Sequence, residues 1–172
     1  MLATLALGWA VGRGSTSIDS WFSRNTQAVI GEQPRWLLIF TSGWVLLAVS
    51  VACLAVALYR RQWGLAAAVL ACPFAATAAN EALKRFFDRR NGPYLEYPSG
   101  HTALLVAVLG MMVVVASSKW ARRWALASAV VLSLLGMVGL VACGYHFFTD
   151  TVGAAMLATA LVCGTARLTS AL

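Results

Sequence analysis

Trp36-Leu-Leu-Ile-Phe-Thr-Ser-Gly-Trp-Val-Leu-Leu-Ala-Val-Ser-Val-Ala-Cys-Leu-Ala-Val-Ala-Leu-Tyr59 runs without a charged residue. A helix needs roughly 20 apolar residues to cross a hydrocarbon core about 30 Å thick, so this stretch can cross a bilayer. Gly64–Leu83, Thr102–Ser117 and Trp124–Cys143 come close to that length or reach it, and a fifth stretch, from about Phe147 to Ala166, holds only Asp150 near its start. Met1–Gly12 is apolar too, but twelve residues of helix reach only about 18 Å. This segment lacks the basic start and cleavage site of a secretory signal, so it is expected to stay in the mature chain. The expectation is an all-α polytopic transmembrane bundle, one domain over residues 1–172. It has five full spans plus the short N-terminal segment, and no sheet, because no alternating barrel pattern occurs.

Of the 172 residues, 60% are hydrophobic and 11% charged, and mean hydropathy is +0.77, so the lipid bilayer is the first partner. The formal net charge of +7 does not point to nucleic acid, because the basic residues sit in short loops with no extended soluble surface. Arg60 and Arg61, and Lys119, Arg122 and Arg123, form two basic loops that the positive-inside tendency places in the cytoplasm, with Trp63, Trp120 and Trp124 beside them as interface residues. Cys53, Cys72, Cys143 and Cys163 lie in apolar segments without metal-ligand spacing, so no metal, disulfide or other cofactor is expected. Arg13–Arg35 reads as a polar loop with a short interfacial helix around Ile18–Phe22.

The chemistry gathers in two polar islands. The first runs from Glu81 through Lys84, Arg85, Asp88, Arg89 and Arg90 to Pro98-Ser99-Gly100-His101, where an apolar helix begins. Ser99 is placed as its N-cap, and the free N–H groups of the first turn, with the helix dipole, make an anion site that His101 can face. The second island is Gly144-Tyr145-His146-Phe147-Phe148-Thr149-Asp150. His146 and Asp150 are four apart, so on a helix the carboxylate holds one imidazole N–H and leaves the other nitrogen as nucleophile or base. Two spans separate His101 from His146, which puts both islands on one face of the membrane. The basic loops lie on the other, so the site is expected to be extracytoplasmic. Lys84, Ser99, His101, His146 and Asp150 then converge on one phosphate.

These residues resemble the type 2 phosphatidic acid phosphatase superfamily, the lipid phosphate phosphatases, with signatures K-x6-R-P, P-S-G-H and S-R-x5-H-x3-D. The second matches at Pro98–His101 and the third at its catalytic end, His146-x3-Asp150. The resemblance covers roughly Lys84 to the C-terminus plus the membrane layout, and implies the family's six-helix core. It also implies that His146 attacks phosphorus to form a phosphohistidine, Asp150 orients it, and His101 protonates the departing lipid oxygen. Lys84, Ser99 and Gly100 hold the phosphate oxygens without a metal. The implied activity is hydrolysis of a lipid or polyprenyl phosphate monoester; the alternative is a silent relative that binds such lipids without hydrolysis. Two departures stand out. The arginine of the first signature falls on Asn91, and that of the third on Leu140. Arg89 or Arg90 is expected to fill the first gap, with Arg90 the nearer. Arg24, in the other polar loop on that face, is expected to matter little.

Overall fold

The computed structural model describes residues 1–31, 33–91 and 93–170. Among them are seven α-helices: α1 (Leu2–Val11), α2 (Ser17–Ile30), α3 (Gly43–Tyr59), α4 (Trp63–Phe87), α5 (Gly100–Val115), α6 (Lys119–Ala142) and α7 (Phe148–Ser170). A 3-10 segment, Arg35–Thr41, leads into α3. The expectation of no sheet needs one correction. The strands β1 (Arg90–Asn91) and β2 (Tyr94–Leu95) pair antiparallel, Arg90 opposite Leu95 and Asn91 opposite Tyr94. The loop between α4 and α5 cannot continue as a helix through Pro93 and Pro98, and the pairing satisfies part of its backbone.

Four helical stretches are long and apolar enough to cross a membrane: Arg35–Tyr59, Trp63–Phe87, Lys119–Ala142 and Phe148–Thr169. They mark the chain as a membrane protein. The remaining expected span, Thr102–Ser117, is α5, whose 16 residues reach about 24 Å, short of that length but enough to join the two ends of the bundle. It is apolar on every side because it is the central helix. Leu105, Val108 and Leu109 pack on Leu46 and Ala129, while Met111 and Val115 meet Cys53, Val69, Cys72 and Val162.

One end of the bundle is fixed by its basic loops, where Arg60 donates to the Val115 carbonyl at 3.1 Å and Arg122 to that of Ala116 at 3.4 Å. The opposite end collects the C-termini of α4 and α6 and the N-termini of α5 and α7. It is roofed by α1 and α2. On α7, Gly153 lets the Tyr97 ring in: a Cβ there would stand 2.5 Å from that ring. The Tyr97 hydroxyl then donates to the Thr4 carbonyl at 2.5 Å, which anchors α1. Burial, reinforced by the negative charge of Asp150, pushes the Tyr97 phenol up to about 12, so it remains a protonated donor.

The polar loop expected over Arg13–Arg35 is largely a helix. Thr16 and Asp19 form a reciprocal capping box, and from it α2 runs to Ile30, well beyond Ile18–Phe22. Phe22 stacks on Phe148 at 3.6 Å between centroids, and the Gln27 amide donates to the Ala142 carbonyl at 3.2 Å. These contacts hold α2 across the ends of α6 and α7.

Candidate active site

α4 ends on Asp88, in the left-handed conformation (φ 46°), and the reversal turns the next side chain inward. That side chain is Arg89, which is fully buried. Its Nη1 donates to Asp150 Oδ1 at 2.6 Å and Thr149 Oγ1 at 2.7 Å; Nη2 donates to Asp19 Oδ2 at 2.7 Å and the Gly14 carbonyl at 2.9 Å. Nε also donates to Gly14, at 3.1 Å, so all five guanidinium N–H groups are used. The expectation that Arg89 grips substrate phosphate is therefore corrected: it has no donor left and no exposure. It is the hub of a clasp joining α2, the loop after α4 and the start of α7. Asp19 completes it, its Oδ1 accepting from the Thr149 N–H and hydroxyl, both at 2.9 Å. Burial pushes the Asp19 carboxyl up, but hydrogen bonds from Thr149 and Thr16 outweigh it and hold the group below its ordinary value.

His146 lies just before α7, and its side chain is 9% exposed. The carboxylate at its Nδ1 is not the expected Asp150. Asp150 is committed to Arg89 through Oδ1 and to the Phe147 N–H, at 3.0 Å, through Oδ2. Glu96 takes the place instead, with Oε2 2.5 Å from Nδ1. The approach is off the line of a hydrogen bond, which leaves both buried atoms without one. Glu96, His146 and Asp150 offer ligand atoms within 4.8 Å of one another, a spacing that would suit a cation. The Arg89 charge beside Asp150 opposes one there.

The P-S-G-H turn sits against this group, tied by the Ser99 N–H to the Asp150 carbonyl at 3.1 Å. Ser99 is the N-cap of α5 as expected, its hydroxyl accepting from the Thr102 N–H. The His101 ring is exposed, and its centroid lies 6.0 Å from that of His146. A Cβ on Gly100 would stand 3.5 Å from the Asn80 amide nitrogen and 3.9 Å from Lys84 Nζ, so both groups of α4 face the first turn of α5. Asn80 is fully buried, and among the described residues neither its amide nitrogen nor its oxygen has a hydrogen-bond partner. The ion pair that Lys84 makes among the described residues is a loose one, with Glu81 at 3.7 Å.

A cavity of about 350 Å³ opens beside His146, walled by α2, Asn91 and the end of α6. Arg90 does not line it; that side chain is exposed and pairs with Asp88 at 2.8 Å. Gly92, next to the vacant position Asn91, lies outside the described residues.

A lysine, a capped helix N-terminus and two facing histidines thus meet at one end of a helical bundle. The family model described as PAP2 superfamily matches residues 66–172, well over half of the chain. The chain belongs to this superfamily. Membership carries phosphatase-type activity on phosphate esters. No curated protein and no solved structure matches the chain.

Beyond the superfamily's signatures the structure adds Glu96, Asn80 and Asp19. Asp19 had a spacing signal, the Thr16-Ser-Ile-Asp19 pattern of a capping box. Glu96 stands two residues before P-S-G-H in a loop whose path the sequence does not disclose. Asn80 is one turn before Lys84 inside an apolar span, and an ionisable or amide group at such depth is itself a signal.

Proposed function

We propose that the protein is a membrane phosphatase, a single domain with α5 as its fifth crossing, that hydrolyses a lipid or polyprenyl phosphate monoester through a phosphohistidine. The observation that carries this reading is His146, with a buried carboxylate 2.5 Å from Nδ1, a second histidine facing it and a cavity at its edge. The Glu96 carboxylate beside Nδ1 keeps the imidazole proton on that nitrogen, which leaves Nε2 with its lone pair. Nε2 attacks phosphorus, the bond to the lipid oxygen breaks, and His101 gives that oxygen its proton. Water, deprotonated by His101, then attacks the phosphohistidine and releases inorganic phosphate. Lys84 and the N–H groups beside Ser99 and Gly100 receive the phosphate oxygens.

An apolar groove of about 830 Å³ supports a lipid substrate. It starts beside Met1 and Val152, at the level of the site, and follows α7 to Ala166 between α5 and α6. The site faces the extracytoplasmic side in this reading, because Arg60, Arg61, Lys119, Arg122 and Arg123 crowd the opposite end in short loops.

The test is phosphate release by the detergent-solubilised chain from a panel of lipid and polyprenyl phosphates, with EDTA present and His146→Ala as control. Turnover that survives EDTA and falls about a thousandfold or more in His146→Ala is expected. Turnover indifferent to His146→Ala, or restored only by a divalent ion, overturns the mechanism. Binding of the lipids without release identifies a silent relative.

A further inference from the structure

We infer that the cavity beside His146 is a phosphate-binding site whose cation is Arg24, from α2. The inference rests on the phosphatase reading above and names the residue that completes its anion grip. Arg24, Ser15, Ser20, Ser23, Asn91 and His146 line the cavity. Ser20 precedes Arg24 by four residues and Gln27 follows by three, so the three share one face of α2. Gln27 donates to the Ala142 carbonyl, and that contact turns this face toward the end of α6. Arg24 is exposed, and among the described residues no hydrogen bond or ion pair engages its guanidinium. It is the only cation among the lining residues.

The other lining groups are neutral donors: three serine hydroxyls, of which Ser15 and Ser20 lie 3.1 Å apart, and the Asn91 amide. One lining carboxylate, Asp19, stands against an anion. Its charge is already answered by Arg89 at 2.7 Å, and both its oxygens are occupied by donors. A planar guanidinium with surrounding hydroxyl and amide donors matches the tetrahedral, multiply charged oxygens of a phosphate, which it binds bidentately. The volume suits a lipid headgroup. The position also answers a gap in the sequence. Leu140, where the third signature has its arginine, is 2% exposed and turned into the core, while its neighbour Val141 lines the cavity. With no cation supplied from α6, α2 brings one over the same wall. Arg24 was expected to matter little while Arg13–Arg35 read as a loop; the helix and its docking are what bring it to His146.

The experiment uses the full chain in detergent, with Arg24→Ala, Arg24→Lys and, as a charge control outside the cavity, Arg35→Ala. Two quantities are read: the affinity for inorganic phosphate by calorimetric titration, and kcat/KM on a lipid phosphate in mixed micelles. Arg24→Ala is expected to weaken phosphate binding and kcat/KM by about tenfold or more, Arg24→Lys to recover part of each, and Arg35→Ala to change neither. A loss of kcat/KM with unchanged affinity for inorganic phosphate assigns the cavity to the lipid-borne headgroup. Equal losses for Arg24→Ala and Arg35→Ala overturn the site in favour of general surface charge. Full turnover and affinity in Arg24→Ala overturn it while leaving the phosphatase reading intact. Arg24-dependent phosphate binding with no turnover of any lipid phosphate does the reverse.

Discussion

Two polar clusters lie side by side at the same end of this bundle and are built on opposite principles. In the clasp, Arg89, Asp19, Thr149 and Asp150 are buried and every donor and acceptor named is used. In the rim, Lys84 is loosely held, Asn80 has no partner, and His146 and Glu96 meet without a proper hydrogen bond. Burying polar groups is costly unless they are satisfied, so the clasp holds the fold together while the rim keeps unsatisfied groups available. Unpaired polarity at membrane depth is what a ligand can complete. Charge alone therefore does not mark function here, because the buried cation at the centre of the region, Arg89, has all its donors occupied.

The comparison breaks most visibly at its hub. Arg89→Met should cost the fold about 3–5 kcal/mol, since it leaves two buried carboxylates unanswered. Thermal unfolding in detergent is expected to move by many degrees, and a variant that melts like the parent would show that the clasp contributes little. The same clasp predicts an acid response. Asp19 has a folded pKa below its ordinary value of 3.8, so its contribution is present above that value and is lost only as pH falls below it. A melting temperature that drops between pH 7 and 5 would need another group.

Asp150 belongs to both clusters and Glu96 to one, which sharpens the contrast. Asp150→Asn is expected to lower stability and turnover together. Glu96→Gln is expected to lower kcat by about ten- to a hundredfold with KM and melting temperature little changed, and Glu96→Asp to recover part of it, as for a group that orients the His146 ring. If Glu96→Gln is as active as the parent and Asp150→Asn loses turnover at full stability, the orienting carboxylate is Asp150 after all.

The helical architecture was legible in the sequence because spans announce themselves by length and hydropathy, and Ser99 as N-cap followed from one local rule. Both histidines were placed on one end by counting crossings, and they do face each other. Partner choice was not legible. Whether Glu96 or Asp150 meets His146, and whether Arg89 points to substrate or to Asp19, depends on contacts separated by tens of residues, which no local spacing encodes. The helix over Ser17–Ile30 was underestimated for a different reason: its Thr16–Asp19 cap was readable, but its apolar stripe is interrupted by serines, Asn25 and Arg24, and its docking through Phe22 and Gln27 is tertiary.

The smallest effect is the most discriminating, because it should move stability and catalysis in opposite directions. Asn80 carries two buried polar atoms without partners, beside Gly100 and Lys84. Replacing a buried unsatisfied amide by an apolar group of similar shape removes a desolvation cost of about 1–3 kcal/mol. Asn80→Leu is therefore expected to raise the melting temperature by a few degrees. If the amide donates to a phosphate oxygen once substrate is bound, the same change should raise KM or lower kcat/KM several-fold, because the hydrogen bond it removes is made only in the complex. A variant that is both more stable and fully active would show that Asn80 is an unused residue of the core. A variant that is less stable would show that its amide is satisfied by water, and the division between a saturated clasp and an open rim would then have to be redrawn on the α4 side.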